Sequence, residues 1–284
     1  MRPAVIVRSQ SATVHSSKPQ TTARQQPSRA WLTLLWALMR RDVRERYLGT
    51  LSGMLWAFLG PALTLLIFAF VFQTLLQVRV PSASGGGFVP YLALGLWPWY
   101  AFADALGRGT QAILGNAPLL GKIALPRAVL VLVPVFGSFA IHLLGFLAVL
   151  LALAGYGVAI DWTGLPTVAL SLLGILVLAV GLAFLLATLN VFVRDVSALL
   201  PQLLTFWMLI TPIFFSTANL SPQLAALLAH NPMMVFIEAI RAGLLGLPLP
   251  GFAACWPAVA ISLLALSAGL FVFSRAAAHF EDYL

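Results

Sequence analysis

Long apolar runs separated by short polar segments make up the chain from residue 51 onward. The first run, Leu51 to Val78, contains no charged side chain and follows directly on a segment with four arginines. About 20 apolar residues are enough for a helix to cross the hydrocarbon core of a bilayer. Runs of this kind predict an all-α polytopic membrane protein with six transmembrane spans: Leu51 to Val78, Tyr91 to Leu114, Ala128 to Ala154, Leu165 to Val191, Ser197 to Thr217 and Phe252 to Phe273.

The segment before the first span has a different pattern. Within residues 30–48, apolar side chains recur at three- and four-residue steps while the arginines lie on other faces, which predicts an amphipathic helix in the membrane interface. Residues 1–29 contain no acidic residue and are rich in Ser, Thr, Gln, Pro and Arg, which is typical of a disordered basic tail. An organellar transit peptide remains an alternative for them. Residues 49–275 would then hold the six-span domain and residues 276–284 a short tail.

The connection between spans five and six, about residues 218–251, has helical patterns of its own. Ser221-Pro222 is a helix-start signal, Asn231-Pro232 interrupts the pattern, and a second helical pattern follows. Each predicted helix is too short to cross about 30 Å of hydrocarbon. The pattern predicts a re-entrant helical hairpin on the outer side, with a simple extracellular helical loop as the alternative.

Composition supports the membrane assignment, and the distribution of charge predicts the orientation. The chain is 61% hydrophobic and 8% charged, so its net charge of +8 is interpreted as membrane topology and lipid contact, not as nucleic-acid binding. With the N-terminus inside, nine Lys and Arg before Tyr47 and four more in later inner segments give thirteen, against two outside. Both termini are therefore predicted to be cytoplasmic.

Signals for catalysis or metal binding are few. The segment from Gly115 to Lys122 departs from the phosphate-binding loop pattern both in its spacing and in the residue after the lysine. A single cysteine excludes an internal disulfide and any cysteine-rich metal site. His142 in span three is expected to pack or to form a hydrogen bond. Asp104 and Arg108, one helical turn apart in span two, are expected to pair with each other.

Aromatic side chains are grouped on spans one and five. Aromatic rings offer flat apolar faces against which the C–H faces of sugars can stack. This grouping suggests the lining of a substrate channel, although for each ring a lipid-facing or core position is an equal alternative. The candidate channel residues are Trp56, Phe58, Phe68, Phe72, Trp207 and Phe214.

Five motifs in order resemble one family, the membrane permease subunit of ABC polysaccharide exporters of the Wzm/TagG type. They cover most of the chain between Trp31 and Arg275. The five motifs are RRDVRERYLGTLSGMLWAFLGP, YLALGLWPWYAFADAL, AILGNAPLLGKIALPR, LNVFVRDVSALLPQLLTFWMLITPIFF and HNPMMVFIEAIRAGLLG.

The resemblance implies a homodimer of six-span subunits in the bacterial inner membrane, each docked to a separate cytoplasmic ABC ATPase. This chain would need no cofactor of its own, because ATP and Mg would bind to the ATPase. The substrate implied is a lipid-linked polysaccharide of the O-antigen, capsule or teichoic-acid type. Its channel would be lined chiefly by spans one and five.

The resemblance also implies roles for three further groups of residues. A basic group would bind the anionic lipid head group, although fixing the membrane orientation is an alternative role; it comprises Arg40, Arg41, Arg44, Arg46 and Tyr47. An inner-loop group would couple to the ATPase, with a local helix cap as an alternative for its last two members; it comprises Asn116, Lys122, Arg127, Arg194 and Asp195. An outer group would gate the exit; it comprises Asn231, Pro232, Glu238 and Arg241.

Two alternative functions remain. One is an ABC exporter permease for drugs or other small amphiphiles. The other is an integral-membrane enzyme acting on glycans or lipids. The shortage of carboxylates in the spans and loops argues against the enzyme, since such sites normally need metal ligands or an acid–base pair.

Overall fold

A computed structural model of the chain describes residues 33, 36–42, 44, 53–78, 87–119, 126–217 and 220–283. Within these ranges every regular element is helical and no strand occurs. Residues 36–42 and 44 are helical, and the predicted tail of residues 1–29 lies outside the described residues. The main helices are α1 Gly53–Ala69, α2 Phe88–Gly115, α3 Arg127–Gly155, α4 Leu165–Phe192, α5 Asp195–Ile210, α6 Pro222–Leu228, α7 Pro232–Leu245 and α8 Phe252–Ala276.

Each predicted span overlaps one of these helices, but α2 and α5 are not among the helices that are long and apolar enough to cross a bilayer by themselves. Within the part of the chain that the structure describes, four helical segments are long and apolar enough, and a fifth crossing is available if the bent pair α6–α7 counts as one span. Helix α5 has only 16 residues, about 24 Å at 1.5 Å per residue, which is shorter than the hydrocarbon core. The four segments are Phe58–Leu75, Arg127–Gly155, Trp162–Phe192 and Phe252–Phe280.

Span five ends earlier than the sequence predicts. The expected helix runs to Thr217, whereas α5 ends at Ile210 and Thr211 has an extended backbone, with φ −82° and ψ 136°. Pro212 is the physical reason, because a proline ring disfavours helical dihedrals in the residue before it. Residues 211–217 therefore leave the helix and become available to neighbouring elements.

Helix α4 lies at the centre of the bundle, packed against α2 and, most extensively, against α8. Small residues permit this close approach. A Cβ added at Gly181 of α4 would overlap the backbone of Leu266 on α8, and one added at Gly109 of α2 would lie 2.7 Å from the Cβ of Ala183. Such contacts bring helix backbones together, which is how membrane helices gain packing energy without a hydrophobic driving force between them.

Helices α1 and α5 contribute little to this core. Among the described side chains of α1 only Ala69 is buried, and on α5 only Leu200 is buried. Large apolar side chains cover their outward faces. These exposed side chains are Leu63, Leu66 and Ile67 on α1, and Leu199, Leu203, Phe206 and Leu209 on α5.

The connection between spans five and six forms two helices, α6 and α7, that meet at 98°. Ser221 caps α6 by accepting from the backbone N–H of Leu224, and Asn231 caps α7 by accepting from Met233, each with a proline at the first helical position. Helix α7 is almost entirely buried and packs against α2, α4 and α8. The predicted break at Asn231-Pro232 is confirmed.

Candidate transport path and coupling surfaces

Three of the candidate channel aromatics form one cluster where α1 approaches the segment after α5. The ring of Phe214 lies 4.9 Å from that of Phe68, edge-on, and 4.8 Å from that of Phe72, stacked. Phe214 is buried in the core. The cluster thus joins spans one and five through ring contacts within one subunit.

Trp207 belongs to a second aromatic cluster, formed with α2. Its ring lies 5.9 Å from that of Trp99 and 5.2 Å from that of Phe102, both edge-on. Phe58 is partly buried against the core, and the side chain of Trp56 lies outside the described residues. The described aromatics therefore contact neighbouring helices, and their contact with substrate stays a prediction.

The exposed faces of α1 and α5 are aliphatic to a greater extent than the sequence analysis expected. Leu66 and Leu203 are each more than half exposed, and Phe206 lies beside Leu203 on the same helix. These residues were missed because leucine is equally suited to lipid, core and subunit contact. Only the packing of the whole subunit distinguishes a covered face from a bare one.

Asn231, one of the predicted outer-gate residues, connects the end of α5 to the start of α7. Its side-chain oxygen accepts a hydrogen bond from Trp207 Nε1 at 3.0 Å, besides capping α7. Its amide nitrogen donates to Thr211 Oγ1 at 2.9 Å. Pro232 follows as the first helical residue. One amide side chain thus caps a helix and holds the broken span in place.

Arg241 is a fully buried cation at the same end of the molecule. Its guanidinium donates to the carbonyl oxygens of Tyr91 at 2.9 Å, Pro212 at 2.6 Å and Ile213 at 3.0 Å. The guanidinium also lies 3.5 Å from the centre of the Tyr91 ring, a favourable cation–π geometry. The carbonyl groups of Pro212 and Ile213, which follow the end of α5, thus have a hydrogen-bond donor, and the buried guanidinium charge has acceptors.

Glu238 and Tyr91 hold the rest of the segment after α5. Thr217 Oγ1 donates to a carboxylate oxygen of Glu238 at 3.1 Å. The hydroxyl of Tyr91 donates to the carbonyl of Phe215 at 3.0 Å. The four predicted outer-gate residues therefore lie on α7 and at its N-cap, and three of them, Asn231, Glu238 and Arg241, contact residues 211–217. The gating role itself stays a prediction.

The described part of the basic segment presents its arginines outward. Arg40, Arg41 and Arg44 are exposed. Asp42 points to the bundle instead, where Arg108 Nη2 lies 2.8 and 3.0 Å from its two carboxylate oxygens. Arg46 and Tyr47 lie outside the described residues.

The expected pairing of Asp104 with Arg108 is wrong. Arg108 pairs with Asp42, and a carboxylate oxygen of Asp104 lies 3.6 Å from His142 Nε2. The helical spacing allowed the first pairing, but residues 36–44 bring a competing carboxylate that no local pattern reveals. The backbone carbonyl of His142 also accepts from Trp97 Nε1 at 3.1 Å.

The predicted coupling residues occupy helix ends on the opposite side of the bundle. Asn116 follows the last residue of α2 and its amide donates to Ala112 O at 2.8 Å. Arg127 begins α3 and donates to the backbone carbonyl of Ala277. Arg194 and Asp195 are exposed at the start of α5. Lys122 lies outside the described residues.

Asn190 is a buried polar residue that the sequence analysis did not select. Its amide donates to Thr110 O on α2 at 3.1 Å, and its side-chain oxygen accepts from Ser197 N on α5 at 3.1 Å. It therefore fixes the turn between α4 and α5 relative to α2. Its sequence signal was its place in the motif that begins LNVFVRD, four residues before Arg194 and within a long apolar run.

The turn between α3 and α4 carries a local carboxylate cap. Thr163 donates to Asp161 from its backbone N–H at 2.9 Å and from its hydroxyl at 2.6 Å. These hydrogen bonds lower the pKa of the exposed Asp161 carboxyl. The backbone N–H of Asp161 donates to Leu244 O at 2.8 Å, which ties this turn to α7. Among the residues that the structure describes, no group of three or more His, Cys, Asp or Glu is arranged to hold a metal ion.

Comparison with known proteins gives one family and several relatives. The model of the family described as ABC-2 type transporter matches residues 33–245. An O-antigen export system permease protein RfbA from Myxococcus xanthus is 28% identical over 256 residues, 88% of this chain and 94% of the relative. A protein of the same name from Klebsiella pneumoniae is 26% identical, over 73% and 78% of the two chains. The polysialic acid transport protein KpsM from Escherichia coli is 23% identical, over 76% and 81%.

Proposed function

This chain belongs to the ABC-2 type transporter family, and from that premise we propose that it is the membrane subunit of an ATP-driven polysaccharide exporter. The observation that carries the proposal is the alignment of 88% of the chain with a protein named as an O-antigen export permease. ATP would be hydrolysed on a separate ABC ATPase. This chain is a transport subunit without a catalytic site of its own.

The transport path runs between two copies of the chain. Helices α2, α3, α4, α7 and α8 pack on one another within a subunit and leave exposed only part of their apolar surface, whereas the apolar faces of α1 and α5 are almost wholly uncovered. A homodimer that opposes these faces, with α1, α2, α3, α4, α5 and α8 as six spans, encloses a conduit for a flexible chain. The aromatic clusters around Phe214 and Trp207 line it if the helices separate during transport.

The orientation places the basic segment on the cytoplasmic side of the inner membrane. Thirteen Lys and Arg then lie inside and two outside. The exposed Arg40, Arg41 and Arg44 would attract the anionic head group of a lipid-linked polysaccharide. The hairpin α6–α7 would lie at the outer side, where its buried polar contacts keep the exit closed until the helices move.

Export by the purified complex tests the proposal directly. The full chain is reconstituted in lipid vesicles with its ABC ATPase, and a lipid-pyrophosphate-linked polysaccharide is compared with a fluorescent amphiphilic drug. We expect ATP-dependent movement of the polysaccharide only. Export of the drug alone would favour the small-amphiphile alternative, and ATP hydrolysis by this chain without its partner would contradict the assignment.

A further inference from the structure

The C-terminal tail, residues 277–283, is folded against the bundle and not extended from it. Its 3₁₀ helix Ala277–Asp282 continues α8, and Phe280 is fully buried. The Phe280 ring lies 5.4 Å from that of Phe273 and 6.3 Å from that of Phe192. The sequence analysis treated these residues only as a short tail.

The tail contacts both inner connections between spans. Arg127, the first residue of α3, donates to the backbone carbonyl of Ala277, the first residue of the tail. Tyr283, at its other end, packs its ring edge-on at 4.8 Å against Phe192, the last residue of α4. Phe192 stands two residues before Arg194. The start of α3 and the end of α4, distant in sequence, are thus joined through the tail.

The surface formed at this junction is mixed in chemistry. Phe192, Val193 and Tyr283 are exposed apolar side chains, and Arg194 and Asp195 beside them are exposed charges. Charged side chains are costly in hydrocarbon, so this surface faces water. Exposed aromatic rings bordered by both signs of charge are typical of a protein contact, where aromatic anchors are surrounded by a polar rim.

We infer that the C-terminal tail joins the start of α3 and the end of α4 into one rigid platform on which the ATPase subunit docks, and that it makes both helix ends move together during ATP hydrolysis. This inference rests on the proposed function. A rigid connection matters because a motion reaches a distant site through packed elements with discrete arrangements. Without the tail, each loop would follow its own helix, and ATP hydrolysis would move the spans less effectively.

Substitution of the exposed end of the tail tests the inference. Tyr283→Ala removes the ring from Phe192, whereas Tyr283→Phe retains it. In vesicles containing the full chain and the ATPase, we expect Tyr283→Ala to lower polysaccharide export per ATP hydrolysed about fivefold or more, with export restored by Tyr283→Phe. Phe271→Ala is the matched control, because Phe271 is an exposed ring on α8 outside the tail. Export by Tyr283→Ala at the level of Phe271→Ala would overturn the inference.

A crosslink distinguishes a tail that stays docked during transport from a tail that must detach. Cys255 is the single cysteine, so a Cys255→Ser background permits a Phe192→Cys, Tyr283→Cys pair joined by a short thiol-reactive crosslinker. The two substitutions remove the ring contact, so we expect the unjoined pair to export poorly and the joined protein to regain the export of the Cys255→Ser background. No gain of export on joining, or a further loss that is reversed by cleaving the linker, would contradict the inference.

The same assay distinguishes failure of this inference from failure of the proposed function. Reversal of both loop charges, Arg194→Asp with Asp195→Arg, is expected to disrupt ATPase coupling whether or not the tail is needed. If that variant loses export while Tyr283→Ala does not, the exporter assignment stands and the tail has no coupling role. If the unaltered complex shows no ATP-dependent export, the proposed function itself fails.

Discussion

Helices α4 and α1 are both continuous apolar segments, yet the subunit covers them very differently. In an 18-residue apolar stretch of the span that contains α4, 44% of the residues are buried, whereas in the span that contains the end of α1 only 6% are buried. Apolar composition predicts that a helix enters the membrane, but it does not say what covers the helix. Much of α4 is covered by other helices of the same subunit, whereas α1 is almost wholly bare and requires another molecule, which is either lipid or a second copy.

Small residues and buried polar groups mark the region in which helices of one subunit pack on one another. Gly181 and Gly269 let α4 and α8 approach until a side chain would not fit between their backbones. Arg241 adds a charge that three carbonyls satisfy. The described part of α1 has neither feature, since Gly60 has no neighbour within 4 Å of an added Cβ. The contrast therefore predicts where substitutions will be costly.

The largest effect is expected from removing the buried cation. Arg241→Met would leave three buried carbonyls without their donor, and each such group costs about 1–3 kcal/mol. We expect a loss of about 3 kcal/mol or more in the free energy of unfolding, measured by thermal unfolding in detergent. Arg275→Met is the control, because Arg275 is an exposed arginine whose guanidinium lies 5.2 Å from the Phe271 ring. Equal losses of unfolding free energy in the two variants would contradict a stabilising role for the buried Arg241.

A matched pair of glycines gives the next test. Gly181→Ala would place its Cβ on the backbone of Leu266, and such overpacking costs about 1–3 kcal/mol. Gly60→Ala meets open space and replaces a glycine inside a helix, so it should be neutral or stabilise by up to about 1 kcal/mol. Unfolding temperatures of the two variants should move in opposite directions or differ clearly. If both were neutral, the close approach of α4 and α8 would be wrong.

The smallest effect is expected where residues 36–44 contact α2. Asp42 and Arg108 are each about a quarter exposed, so solvent screening limits their coupling to about 0.5–1 kcal/mol. A double-mutant cycle with Asp42→Asn and Arg108→Gln should recover this value. Arg40→Gln is the control, because Arg40 is exposed and should leave the unfolding temperature unchanged. A coupling of zero would mean that the basic segment is not anchored through this pair.

Local patterns predicted the helices well because apolar periodicity and proline positions act over a few residues. The helix break at Asn231-Pro232 and the ends of α3 and α4 follow from such signals. The partner of Arg108, the bonds of Asn190 and the docking of the tail could not be predicted in this way. Each joins residues 66 or more positions apart or depends on how three helices meet.

The candidate site was predictable to the same extent. The four outer-gate residues were selected together and lie together, because their motif falls on one short helix. The channel aromatics were selected because they lie on spans one and five. Their rings pack within the subunit, which the sequence did not reveal because a pattern along the chain cannot distinguish an inner face from an outer one. The bare leucines of α1 and α5 were missed for the same reason.

Cysteine crosslinking between subunits tests most directly whether the bare faces meet in a dimer. In a Cys255→Ser background, single cysteines replace Leu66 on α1, Leu203 on α5, Leu144 on α3 and Leu170 on α4, four leucines with similar exposure of 64, 62, 62 and 70%. With short thiol-reactive crosslinkers applied to native membranes, the account predicts covalent dimers through positions 66 and 203 and none through 144 and 170. Equal crosslinking at all four positions, or dimers only through 144 and 170, would contradict it.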